Sequence, residues 1–352
     1  MYELYEPSER VFVDREEYID WMTNAISRCK DKSVVLHLNG IGGIGKSSLI
    51  EHWSDTTDQS IVLDCSRVTD FYDRLDTIAR GAARFGLDLR RFDVLWHIRQ
   101  RFVKGVEPAK EEGRGWVMDI LAPIDIIVPI TNVPRAIKAI GEKLKPILTG
   151  KLDDLGTWLQ SRLGKDYASR LLEVLWKDPS HAEFVYLNAL LEDLNNRKSI
   201  EKPLVVMLDG YEAVDKEDLR WTYSGRRISE AELWYSFLSS LANSVGVVAS
   251  RHAPPTDIRV EESELIELDK GGCMELLEAR GISDEEVQTK IISVSGGNPF
   301  VLNCICDIPG SKNLSIEDVQ NLGAETLEEV RVKTWRRIFS QAEGLLNLID
   351  RA

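Results

Sequence analysis

The sequence predicts an α/β chain, a parallel sheet with helices on both faces, followed by a small all-helical unit. Three observations carry this. Short β-branched apolar runs bounded by turn residues recur at "SVVLHLN" (33–39), "SIVLD" (60–64), "KPLVVMLD" (202–209), "SVGVVAS" (244–250) and "ELIELD" (264–269). Runs apolar at nearly every position read as strands buried on both faces, which is the signature of a parallel sheet. Amphipathic stretches alternate with them, and after residue 270 only short helical patterns remain.

The N-terminal segment, residues 1–33, opens "MYELYEPSERVFVDREEY", with acids from its third residue and no apolar core, so no signal peptide is expected. The first run then meets "GIGGIGKSSLIEHW": Gly40, Gly42, Gly43 and Gly45 fall within six positions and hand over to Lys46 and a helical pattern. Glycine this dense marks backbone that must approach something closely or take φ > 0.

Residues 65–201 separate the second run from the third, far beyond an ordinary crossover. They hold helical patterns ("FYDRLDTIARGAARFG", "LLEVLW", "AEFVYLNALLEDLNNR") and an expected insertion at about 103–165, rich in Gly, Pro and Lys. The most apolar stretch, "GWVMDILAPIDIIVPI", is broken by Asp119, Pro123, Asp125 and Pro129, well short of the ~20 residues a spanning helix needs. "AELWYSFLSSLANS" supplies a helix before the fourth run, and the fifth run closes a core expected over 34–269. "GGCMELLEARG", "DEEVQTKIISVSG" and "PFVLNCICD" then make a helical lid over 270–325, and 326–352 begin a further domain. No internal repeat is visible.

The 352 residues suit two or three domains, and 43% hydrophobic with 29% charged is ordinary globular composition. A net charge of −14 argues against wholesale wrapping of nucleic acid. Five scattered cysteines, an odd number, exclude a fully paired disulfide framework and point to a reducing cytoplasm. Cys304 and Cys306 have no second Cys/His pair at zinc spacing, so they read as buried small hydrophobes of the lid.

Gly40, Gly45, Lys46 and Ser47 satisfy G-x-x-x-x-G-K-[ST] between a strand and a helix, the context in which that pattern binds a nucleotide. The backbone from Gly40 through Gly42, Gly43, Ile44 and Gly45 to Ser48 would curl around phosphates. Lys46 would reach the β and γ phosphates, and Ser47 would ligate Mg²⁺. A ligand-free glycine turn leaves Lys46 unexplained.

Asp209, at the C-terminal end of an apolar run, faces the crevice where open α/β sheets bind ligands, and is the second candidate metal ligand. The alternative is a helix N-cap. Glu212 stands where it can orient or deprotonate a water, or is a solvated acid. Arg251, after Ser250 at the end of "VVAS", senses a γ-phosphate or is an ordinary surface arginine. His252 reads as a loop residue, and His37, His52, His97 and His181 as packing. Gly296, Gly297, Asn298 and Pro299 read as helix stop, turn and helix start.

In this order, "VFVDREEYIDWM", the glycine loop, "VVMLDGYE", "VVASR" and "GGNPFVL" resemble the signal-transduction ATPases with numerous domains (STAND), NB-ARC/NACHT-like relatives of the AAA+ P-loop NTPases. The resemblance spans about 11 to 330. It implies a P-loop NTPase sheet of order 5-1-4-3-2 with the small helical lid. Phe12, Val13, Arg15 and Glu16 resemble the segment that packs near adenine, with Asp14 where the family usually has glycine. Asp209 and Glu212 match its acidic pair, Arg251 its sensor arginine and Pro299 the lid proline that touches the base. Residues 326–352 would begin a winged-helix domain too short to be complete.

The expected function is therefore a cytoplasmic, ATP/ADP-switched regulatory ATPase with slow Mg²⁺-dependent turnover. ADP would hold a closed monomer and ATP would favour a homo-oligomer, with downstream sensor or effector domains outside this chain. The alternatives are a DNA-associated AAA+-like ATPase, either an initiator or a transposition helper, which the charge disfavours, and a nucleotide-bound scaffold that does not hydrolyse.

Overall fold

A computed structural model describes residues 11–30, 32–98, 182–196, 202–214, 221–223, 226–255, 258–307, 311 and 314–321. The expected insertion at about 103–165 and the expected further domain at 326–352 lie outside the described residues.

Five strands form one parallel sheet: β1 (Ser33–Asn39), β2 (Ser60–Asp64), β3 (Leu204–Asp209), β6 (Ser244–Ala249) and β7 (Glu261–Glu264). β4 (Trp221–Tyr223) and β5 (Arg226–Ile228) make a separate antiparallel pair. The sheet order is β2-β3-β6-β1-β7. Numbering only its five strands along the chain, this reads 2-3-4-1-5 from one edge and 5-1-4-3-2 from the other. The α/β class and the parallel sheet thus stand as the sequence predicts.

The β period of two sorts the sheet's side chains into two layers. Leu204, Val206 and Leu208 of β3 join Val35, Ile61, Leu63 and Val248 under one set of helices. Those helices are α3 (Phe71–Arg84), α4 (Arg90–Ile98), α5 (Ala182–Asn195) and α6 (Glu230–Ser240). Val205 and Met207 point the other way, with Leu36, Leu38 and Val247, against α1 (Glu16–Arg28) and α2 (Lys46–Thr56). Burial on both faces is the reason these runs lack polar alternation.

The fifth strand differs from expectation. The pairing segment is Glu261–Glu264, aligned with Leu36–Asn39, rather than 264–269. As an edge strand it alternates half-buried Glu261 and Ser263 with exposed Glu262 and Glu264, charges that discourage further strand pairing, so it gives no apolar run. The apolar residues beyond it leave the sheet: Leu265 packs beneath β1, and Leu268 enters the lid core.

The helical unit comprises α7 (Lys270–Ala279), α8 (Glu285–Ser295), α9 (Pro299–Cys306) and α10 (Ile316–Asn321). Asp269, Asp284 and Asn298 each accept backbone N–H groups at the starts of α7, α8 and α9, and Gly296 ends α8 in the left-handed conformation at φ 61°. Its core takes Val13 from the N-terminal segment. Cys304 and Cys306 are only half-buried, a correction to their reading as core residues.

α4 and α5 bracket the long interval and are clasped together. Asp193 accepts the Phe92 N–H at 2.9 Å and Arg91 Nη1 at 2.9 Å. Burial pushes its carboxyl up to about 6, opposed by these two donors. Asp193→Ala leaves the buried Phe92 N–H without its acceptor, and should lower unfolding stability by about 1–3 kcal/mol in chemical denaturation.

Candidate functional site

β1 ends at Asn39, whose Oδ1 accepts the Gly40 N–H at 2.8 Å as the glycine loop begins. Gly45, at φ 104°, precedes the first residue of α2 and offers no side chain to cap it. The N–H groups of that helix start, with its dipole, therefore face the loop's concavity. Gly43, at φ 80°, lies so close to the lid that a Cβ there would come within 2.8 Å of Phe300 Cβ. Any side chain at Gly43 would have to displace the lid.

Lys46 is 8% exposed, and its ammonium donates to the carbonyls of Gly40 at 2.6 Å and Ile41 at 3.0 Å. Burial pulls its pKa down; Glu212 and Asp209 push it up, and Arg251 lowers it. Asp209 ends β3, and its carboxylate is hydrogen-bonded by the Ser47 hydroxyl and the Gly210 N–H. Burial raises its pKa against those bonds, and neighbouring Asp64 and Glu212 raise it further.

Gly210, at φ 60°, turns the chain into a 3₁₀ turn (Tyr211–Ala213) that carries Glu212. Glu212 Oε1 pairs with Arg251 Nε at 2.8 Å, while its Oε2 is buried with no hydrogen-bond partner among the described residues. The Arg251 guanidinium lies over the loop: a Cβ on Gly42 would be 3.7 Å from its Cζ and Nη1. The acid, the arginine and the glycine loop thus meet at one place.

Arg15 is 4% exposed and donates from Nη2 to the Ile44 carbonyl at 3.2 Å, bracing the loop from behind. Asp14 takes φ 53°, the left-handed conformation that glycine adopts without strain and that aspartate tolerates better than most residues. Its carboxylate accepts the Asp269 N–H at 2.7 Å, tying the segment to the start of the lid. Val13 is buried in the lid core rather than brought to the loop. Ser47 and Ser48 are exposed on the first turn of α2. Pro299 Cγ would lie 3.8 Å from a Cβ on Gly45.

The structure therefore brings together the loop from Gly40 to Ser48, Asp209, Glu212, Arg251, Arg15 and Pro299, and leaves Val13 in the lid core. Sequence reasoning missed Phe300, whose only signal was its place beside Pro299. His37 is buried, as expected of a packing residue, and both of its ring nitrogens also have hydrogen-bond partners.

Among the described residues no three His, Cys, Asp or Glu side chains gather as a metal-binding group. The Ser47 hydroxyl beside the Asp209 carboxylate is nonetheless a donor set that suits Mg²⁺, which is commonly held by one or two protein oxygens together with substrate phosphates. Among the described residues no helix is long and apolar enough to cross a membrane. No protein-family model matches the chain, and no curated protein matches it.

Proposed function

We propose that this chain is an ATP/ADP-binding regulatory switch of the STAND kind, a cytoplasmic P-loop NTPase core. The observation that carries the reading is the convergence of two bodies on one loop. Lys46, Asp209, Glu212 and Arg251 surround the glycine loop from the sheet side, while Phe300 and Pro299 press on it from the lid. A nucleotide held by the loop would be sensed by both.

Lys46 would turn from its carbonyls to the β and γ phosphates, and the α2 N-terminus would face them. Ser47 and Asp209 would hold Mg²⁺, which when bound neutralises phosphate charge. Arg251 would contact the γ-phosphate and so distinguish ATP from ADP. Glu212 would orient or deprotonate the attacking water; one of its carboxylate oxygens is already engaged by Arg251, a contact it would have to share or give up, which favours slow turnover.

A ligand shifts a lid equilibrium only by its differential affinity for the two arrangements. Moving from mostly closed to mostly open takes about 5.5 kcal/mol of difference, more than one γ-phosphate contact supplies. In sedimentation, the chain with Mg-ADP or with a non-hydrolysable ATP analogue should remain mainly monomeric, oligomers requiring a further partner domain. A large oligomer formed with the analogue alone would mean that nucleotide exchange suffices to throw the switch.

A further inference from the structure

His37 is fully buried, on the face of β1 that looks toward α6. Its Nε2 lies 3.0 Å from the carbonyl oxygen of His252, and its Nδ1 lies 2.5 Å from the Tyr235 hydroxyl. A carbonyl only accepts, so Nε2 carries the proton, Nδ1 presents its lone pair, and Tyr235 donates to it. Burial lowers the pKa of His37, which keeps the ring in this neutral form.

The His252 carbonyl is one residue beyond Arg251. On the other side of the arginine, Ser250 N–H donates to the Leu38 carbonyl at 3.1 Å. Arg251 is therefore pinned at both flanks by consecutive residues of β1, the strand that runs directly into the glycine loop. Tyr235 in turn stacks edge-on against Tyr211, ring centroids 5.5 Å apart, and Tyr211 immediately precedes Glu212. One buried imidazole thus ties together the segments that carry Arg251 and Glu212, whose side chains pair at 2.8 Å.

We propose that His37 is a positioning residue that holds Arg251 in register with the phosphate loop, through its hydrogen bond to the His252 carbonyl, and thereby sets discrimination between nucleoside triphosphate and diphosphate. This rests on the sensor reading of Arg251. A residue that only filled space would affect both nucleotides alike.

The test is calorimetric affinity for Mg-ADP and for a Mg-bound non-hydrolysable ATP analogue in four variants. Arg251→Ala should abolish the preference for the triphosphate. His37→Leu removes the bond to His252 and should reduce the preference about tenfold, the value of one hydrogen bond, with ADP affinity within about twofold of wild type. His37→Gln keeps an amide nitrogen at the Nε2 position and should restore the preference. His37→Asn is polar but too short to reach His252; it should behave like His37→Leu, and it carries the comparison if the leucine variant does not fold. If Arg251→Ala loses the preference while His37→Leu and His37→Asn keep it, or if the His37 variants lose both affinities equally, the positioning role is wrong. If Arg251→Ala keeps the preference, the sensor reading fails and takes this inference with it.

Discussion

Lys46→Ala is expected to lower nucleotide affinity by at least about a hundredfold while leaving the fold intact. The ammonium is the loop's own cation, buried and held at its mouth by the carbonyls of Gly40 and Ile41. Those carbonyls belong to the concave loop itself, so turning the ammonium to phosphate oxygens needs only side-chain rotation. A hydrogen bond to a charged group contributes about 1.5–3 kcal/mol, and two such bonds to phosphate account for the hundredfold. Circular dichroism should be unchanged, because the apolar contacts of α2 run through Leu49, Ile50 and Trp53. Wild-type affinity in this variant would remove the glycine loop from the account.

Glu212→Gln is expected to leave ATP affinity within about threefold and to reduce turnover by roughly a hundredfold or more, the range lost with a general base. Glutamine keeps the shape and can still accept from Arg251 Nε, so the ion pair becomes a neutral hydrogen bond and the segment stays in place. It cannot take a proton. Measuring phosphate release beside binding separates the two effects. Unchanged release would leave Glu212 as an anchor for Arg251, and no turnover in the wild type would favour the nucleotide-bound scaffold.

Much of this architecture was legible because burial writes itself into sequence. Val205 and Met207 face one helical layer and Leu204, Val206 and Leu208 the other, so β3 had to be apolar throughout. The same logic fails where a strand is exposed. β7 is three glutamates and a serine, and its pairing with Leu36–Asn39 follows from the path of the chain rather than from its own residues. The antiparallel β4–β5 pair and α4 likewise gave no usable pattern. The order of the strands came from a resemblance, since periodicity says nothing about neighbours.

The site divides in the same way. Gly40 to Ser48 were legible because the G-x-x-x-x-G-K-[ST] pattern fixes residue type and spacing together, and Asp209 because an acid ending an apolar run stands out. Phe300 and His37 act through tertiary proximity alone: Phe300 lies over Gly43, and His37 bonds to a residue 215 positions away. A buried histidine in an apolar strand looks like packing until its partners are known. The left-handed conformation of Asp14 was hidden for the opposite reason, because aspartate stands where glycine would have announced it.

The most direct test of nucleotide binding at the glycine loop is calorimetric titration of the chain, stripped of co-purifying nucleotide, with Mg-ADP, Mg-ATP analogue and Mg-GTP. One saturable site is expected for the adenine nucleotides, with weaker binding of GTP and loss of the site in Lys46→Ala. An absence of heat with all three at millimolar concentration, or binding that Lys46→Ala does not weaken, would contradict it.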